Sequence, residues 1–199
     1  MKFLKKTLLA TGLAALCAAP ALAADRALLI GVGKFANSQY DLPGIELDTN
    51  MAKELVLHMG IAESNITLLM DGKATVRGIA QAMETMAKQV GPDDRVVIYV
   101  SSHGSQLEDK NGDEEDGLDE TLFVHDGHLV DDDFGRLIQA LPSKNVLVLI
   151  DACHSGTVTK SWSSGGNQFS VTQGVPKFIP PKTRPKPGAR ANSKAFGVE

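Results

Sequence analysis

Two apolar runs in this chain each end in a side chain able to attack a carbonyl or move a proton. "RVVIYVSSHG", residues 95–104, closes on His103, and "NVLVLIDACHSG", residues 145–156, closes on Cys153. Both runs read as buried strands. In parallel sheets the working side chains gather where strands end at their carboxyl edge, so neighbouring strands would bring this imidazole and this thiol to one rim. A thiol at neutral pH is mostly protonated and needs a base or a cationic neighbour to become a nucleophile. The blander reading of Cys153 is a small buried hydrophobe.

Five histidines are available to serve the thiol. His154 adjoins it in sequence, but successive residues leaving an extended strand point to opposite sides, which aims His154 poorly at the sulfur. His58 falls on a helix pattern, and His125 and His128 flank a turn, so all three read as packing or surface residues. His103 is the expected partner.

The elements that must position this pair alternate between strand and helix patterns. "RALLIGV" (26–32) and "NITLLMDG" (65–72) are further strand candidates. "LDTNMAKELVLHMG" (47–60) reads as a helix with Leu47, Met51, Leu55 and Met59 at four-residue steps and Asp48 placed to cap or open it. "TVRGIAQAMETMAKQV" (75–90) turns Val76, Ile79, Ala80, Met83 and Met86 inward, and "DDDFGRLIQAL" (131–141) opens with an acidic turn suited to its dipole. "TLFVHDGHLV" (121–130) predicts a hairpin turning at Asp126-Gly127. The rhythm predicts an α/β fold, a mainly parallel sheet flanked by helices. Gly31, Gly33 and Ala36 satisfy a dinucleotide-type G-x-G-x-x-A, but "NSQYDLPG" follows where a helix would have to start, which argues against nucleotide binding.

The ends of the chain differ from its body. Lys2, Lys5 and Lys6 precede an apolar stretch from Leu8 to Ala19, and "ALA" at 21–23 is a small-x-small cleavage site, so residues 1–23 read as an export signal. The stretch is short for a membrane span, and no later window is long enough for one. Cleavage after Ala23 removes Cys17 and leaves Cys153 as the single cysteine of about 176 residues, with no internal disulfide. The expected location is periplasmic or secreted. Residues 24–159 carry 23 acidic and 10 basic groups, against 1 and 7 in residues 160–199. An acidic body makes nucleic acid an unfavourable partner. The Pro-, Gly- and Ser-rich residues 160–199 read as a basic tail or linker.

"RALLIGVGKF", "LPGIELDTNMAKEL", "VSSHGSQLEDKNGDEEDGLDETL", "LVDDDF" and "VLVLIDACHSG" together resemble the large-subunit region of metacaspases, caspase-like cysteine peptidases, over about residues 26 to 156. The resemblance implies a cysteine endopeptidase with a Cys153/His103 dyad, and an oxyanion held by the backbone N–H groups of Gly104 and Cys153. It also implies substrates with Arg or Lys before the cut, received by Asp48, Ser101 and Asp151. Carboxylates in a partly desolvated pocket favour a cation and reject an anion. The blander roles are a helix cap for Asp48 and a loop-ordering carboxylate for Asp151.

Residues 108–133 hold 12 acidic groups and one basic group. Asp109, Asn111, Asp113 and Glu120 fall at calcium-loop positions, but Glu114 stands where an EF-hand needs glycine. By the resemblance, Asp119, Asp131 and Asp132 match calcium-binding positions of metacaspases. Lys160 occupies a further ligand position and would repel the ion. The chemistry itself requires no cofactor; calcium enters only as an activator. The resemblance also implies a small-subunit region after the linker. Here "VPKFIPPKTRPKPGARANSKAFGVE" resembles the linker and the chain then ends, so either a separate partner chain supplies that region, or this is an incomplete product, or the caspase-like sheet closes without it. Arg184, Lys186 and Arg190 suit an acidic pocket, which makes the tail a candidate substrate-like segment. The rival reading is a non-catalytic caspase-like module that binds basic peptides or calcium.

Overall fold

The computed structural model describes residues 25–110, 112, 117–152 and 177–179. Four strands form a wholly parallel sheet: β1 (Arg26–Gly31), β2 (Ile66–Met70), β3 (Arg95–Ser101) and β7 (Asn145–Asp151), in the order β2-β1-β3-β7. A second sheet, in the order β6-β5-β4-β8, contains β4 (His103–Glu108), β5 (Leu118–Val124), β6 (Gly127–Val130) and β8 (Phe178–Ile179). β4, β5 and β6 pair antiparallel, whereas β8 runs parallel to β4.

The expected α/β architecture is therefore present, with two differences around the site. The run 95–104 is not one strand. It breaks at Ser102, whose side chain donates to the Phe123 carbonyl, and His103 begins a strand of the second sheet. The hairpin turning at Asp126-Gly127 belongs to that same sheet.

Helices cover both faces of the parallel sheet. Leu28, Ile30, Val96, Ile98 and Val100 pack with Ile79, Met83 and Met86 of α2 (Val76–Ala87) and with Phe134 and Ile138 of α3 (Asp131–Gln139). Ala27, Leu29 and Val97, on alternate positions, meet Ala52 and Val56 of α1 (Ile45–His58). Strands covered on both faces read as continuous apolar runs for this reason.

α1 turns a different side inward from the one its large residues suggest. Ile45, Thr49, Ala52 and Val56 are buried, while Leu47, Met51 and Leu55 are exposed. A constant step of four drifts about 40° per step on a helix of 3.6 residues per turn, whereas alternating steps of four and three hold one face. Small inward residues also let α1 lie close to β1. A Cβ added at Gly31 would stand 2.4 Å from Thr49 Cγ2 and 2.8 Å from Met70 Sδ. Gly31→Ala is expected to destabilise the fold by about 1–3 kcal/mol through overpacking, read in urea melts. Thr49→Ala in the same chain should recover part of that loss.

Among the described residues, no helix is long and apolar enough to cross a membrane.

Candidate active site

β3 and β7 are hydrogen-bonded neighbours, with Ser101 opposite Asp151. Their carboxyl ends thus lie side by side, as the sequence led one to expect. Cys153 and His154 lie outside the described residues, and β7 is followed by a half-buried Ala152.

His103 stands on the β3 side of this rim, 4% exposed. Its ring lies 5.3 Å from that of Phe35, and its Nε2 is 2.9 Å from the Tyr40 carbonyl oxygen. A carbonyl only accepts, so Nε2 carries the hydrogen and Nδ1 carries the lone pair. Nδ1 is buried and has no hydrogen-bond partner among the described residues. Burial lowers the pKa of His103; the Tyr40 carbonyl opposes this, and the positive charge of Lys177 adds to it. A neutral imidazole with one fixed N–H and one unengaged lone pair is equipped to accept a proton.

The loop that holds this ring was unremarked in the sequence beyond its turn formers. Phe35 and Tyr40 both pack on Phe123, at ring distances of 5.5 and 5.2 Å. Asp41 ties the loop by accepting from the Phe35 N–H at 3.0 Å and from Lys34 Nζ at 2.9 Å. Gly33 and Lys34 donate their N–H groups to Asp71 Oδ1, each at 2.8 Å. A carboxylate of the protein therefore fills the position where a dinucleotide motif would need phosphate, and no helix starts there.

Asp48, Ser101 and Asp151 come together around one ammonium group, that of Lys177. Its Nζ lies 2.6 Å from Asp151 Oδ2, 2.9 Å from Asp48 Oδ2 and 2.9 Å from Ser101 Oγ. Ser101 Oγ in turn donates to Asp48 Oδ2 at 3.1 Å. An ammonium has three N–H donors, and here three oxygens receive them. Burial disfavours the charge on Lys177, but hydrogen bonds and attraction from Asp151 and Asp48 outweigh it and raise the pKa above that of an ordinary lysine.

The same residue engages the rim through its backbone. The Gly104 N–H donates to the Lys177 carbonyl at 2.8 Å. Asp48 is not the helix cap: α1 begins at Ile45 with Gly44 at the cap position (φ 92°), which leaves the Asp48 carboxylate in the first turn to face Ser101 and Lys177. Arg184, Lys186 and Arg190 lie outside the described residues. The lysine that meets the carboxylates is Lys177, in "VPKFIPP". Its signal in the sequence was a lone base between a proline and an apolar pair, just after the acidic body gives way to the tail.

Asp119 lies on β5, while Asp131 and Asp132 open α3 after β6. Among the described residues, no group of three or more His, Cys, Asp or Glu side chains is placed to hold a metal ion. His125 and His128 are packing residues: His125 Nδ1 bonds the Lys34 carbonyl at 2.7 Å, and His128 Nδ1 bonds Thr121 Oγ1 at 2.9 Å.

Comparison with known proteins places the chain in a family. The family model for the metacaspase, peptidase C14 domain matches residues 25–161. The chain belongs to the metacaspase family. It is 36% identical over 145 residues to metacaspase-1 of Eremothecium gossypii and 35% identical over 146 residues to metacaspase-1 of Kluyveromyces lactis. Those matches cover 66% and 67% of this chain but 32% and 34% of the relatives, so this metacaspase spans about a third of their length. The crystal structure of protein GSU0716 from Geobacter sulfurreducens matches with a TM-score of 0.57 and 33% identity, covering 67% of this chain and 52% of that one.

Proposed function

We propose that this metacaspase is an exported cysteine endopeptidase that cuts peptide bonds after Arg or Lys. One observation carries the specificity: a lysine ammonium sits among Asp48, Ser101 and Asp151 while the carbonyl of the same residue accepts from Gly104. That is how a residue before the cut must be held, with its side chain in the pocket and its carbonyl at the oxyanion donors.

In this reading the Cys153 sulfur attacks the carbonyl carbon, and the N–H groups of Gly104 and Cys153 receive the developing oxyanion. His103 takes the thiol proton at Nδ1 and returns it to the leaving amine, while the Tyr40 carbonyl keeps Nε2–H in place. Water then releases the acyl group from sulfur. Protein groups do all of this, and no step is assigned to calcium. A module that only binds basic peptides would use the same oxygens. It would have no use for a buried imidazole nitrogen whose lone pair meets no donor among the described residues, and on that ground we favour the enzyme.

Peptides with a fluorogenic group after Arg, Lys or Asp test the reading. Arg and Lys peptides are expected to be hydrolysed at least 100-fold more efficiently than the Asp peptide, since juxtaposing like charges costs several kcal/mol. Equal turnover of all three would remove the pocket assignment.

A further inference from the structure

We infer that Asp71 is a positioning residue for His103: its carboxylate fixes the start of the 33–44 loop, and through that loop the ring that moves the proton. The inference rests on the peptidase reading above. It adds to that reading a residue at the end of β2 that touches neither the three pocket oxygens nor the His103 ring.

His103 is held by this loop as well as by its own strand. Its Nε2 donates to the Tyr40 carbonyl at 2.9 Å, and its ring lies 5.3 Å from that of Phe35. The loop closes on itself where the Leu42 N–H donates to the Gly33 carbonyl at 2.9 Å. Where Tyr40 stands is therefore set by where the loop begins, at Gly33 and Lys34.

Two side chains from other elements fix that beginning. Asp71 Oδ1 accepts from the Gly33 and Lys34 N–H groups, each at 2.8 Å, and His125 Nδ1 donates to the Lys34 carbonyl at 2.7 Å. The peptide groups on both sides of Lys34 are thus bound, immediately before Phe35. Packing cannot take over this task. Behind the loop lies a cavity of about 460 Å³, lined by Gly33, Lys34, Leu42, Leu68 and Met70. Hydrogen bonds to a charged acceptor are about twice as strong as neutral ones, which suits Asp71 to hold a loop over open space.

The backbone of Asp71 supplies a second, independent observation. Its φ is 50°, and among the described residues it is the only non-glycine residue with positive φ. Such conformations are costly outside glycine and persist where their surroundings over-determine them, often at functional sites. A glycine would relieve that cost, but it would bring no carboxylate to the loop.

Without the carboxylate the loop start is free to shift over the cavity, the Tyr40 carbonyl leaves Nε2, and water reaches the ring. A misplacement of about 1 Å costs up to about 100-fold in rate. The loss should fall on kcat, because Asp48, Ser101 and Asp151 sit on α1, β3 and β7. Burial is the largest influence on the His103 pKa and lowers it, ahead of the Tyr40 carbonyl, which raises it. Exposing the ring removes the larger influence, so the pKa should rise toward 6.5.

The test compares the 199-residue chain with Asp71→Asn, Asp71→Gly and Asp71→Ala. Each is assayed on an Arg peptide, melted, and titrated by NMR at the His103 ring, assigned with His103→Gln. Asp71→Gly and Asp71→Ala should lose about 10- to 100-fold in kcat with KM nearly unchanged, and their His103 titration should move up. Asp71→Asn keeps an acceptor and tolerates positive φ, so it should lose least. Asp71→Gly should melt above Asp71→Ala because it carries no strain, yet lose as much kcat. Activity that instead follows the melting temperature, with Asp71→Gly close to the unaltered chain, would overturn the inference and leave the peptidase reading standing. So would an unmoved His103 titration in Asp71→Gly, or failure of both Asp71→Gly and Asp71→Ala to fold, which would make Asp71 a structural residue. No turnover by the unaltered chain would remove the peptidase reading, and this inference with it.

Discussion

His103→Ala is expected to lower kcat/KM on an Arg peptide by about 10³-fold, the middle of the range for losing a general acid–base group. The loss should fall on kcat, with KM nearly unchanged, because the three oxygens that receive the cation are on other residues. A KM close to that of the unaltered chain also shows that the variant still folds around its pocket. The pH dependence follows from the same environment. Burial and the nearby lysine charge place the His103 pKa below its usual 6.5. A base with a lowered pKa stays unprotonated to lower pH, so the acid limb of kcat/KM should lie below pH 6.5. The limb of kcat/KM reports the free enzyme, in which burial, the largest of these effects, still lowers the pKa. A limb centred at or above pH 6.5, or a His103→Ala chain within tenfold of the unaltered one, would take His103 out of the proton-transfer role.

The dyad's frame was legible because buried strands are written as continuous apolar runs. "RVVIYVS" and "NVLVLID" could be placed in a parallel sheet from their apolar runs and the alternation of strand and helix patterns, and they pair in parallel with Ser101 opposite Asp151. What holds the imidazole was not legible. Phe35 and Tyr40 sit in a loop with no periodicity, and their approach to His103 depends on the hairpin that brings Phe123 beneath them. The inward face of α1 was misread for a related reason. Hydrophobic size pointed to Leu47, Met51 and Leu55, but closeness to Gly31 selects Thr49 and Ala52, and closeness is a property of the packed pair. Lys177 was the hardest residue to single out. A lone lysine among prolines carries no pattern, and only the strand pairing of Phe178 and Ile179 with β4 gives it a partner.

Asp48→Asn and Asp151→Asn are expected to weaken the response to a basic residue unequally. The amide keeps the size of the carboxylate but removes its charge, leaving the ammonium or guanidinium with a neutral acceptor. A hydrogen bond to a charged group contributes about 1.5–3 kcal/mol, and each 1.36 kcal/mol is tenfold in rate. That places each single change between about 10- and 160-fold in kcat/KM on a Lys peptide. Solvent decides where in that interval each one falls. The Asp151 side chain is 48% exposed and that of Asp48 is 29% exposed, so water and salt screen Asp151 more. Asp48→Asn should therefore sit near the upper end and Asp151→Asn near the lower, even though Asp151 makes the shorter contact at 2.6 Å. The double variant should lose more than either single one but less than their product, since both carboxylates serve one cation and Ser101 still accepts from it. A peptide with a neutral isostere of arginine before the cut isolates the charge: the preference for arginine over it should shrink in each variant by about as much as kcat/KM falls. An unchanged preference in the double variant would mean that the carboxylates order the rim and do not read the substrate.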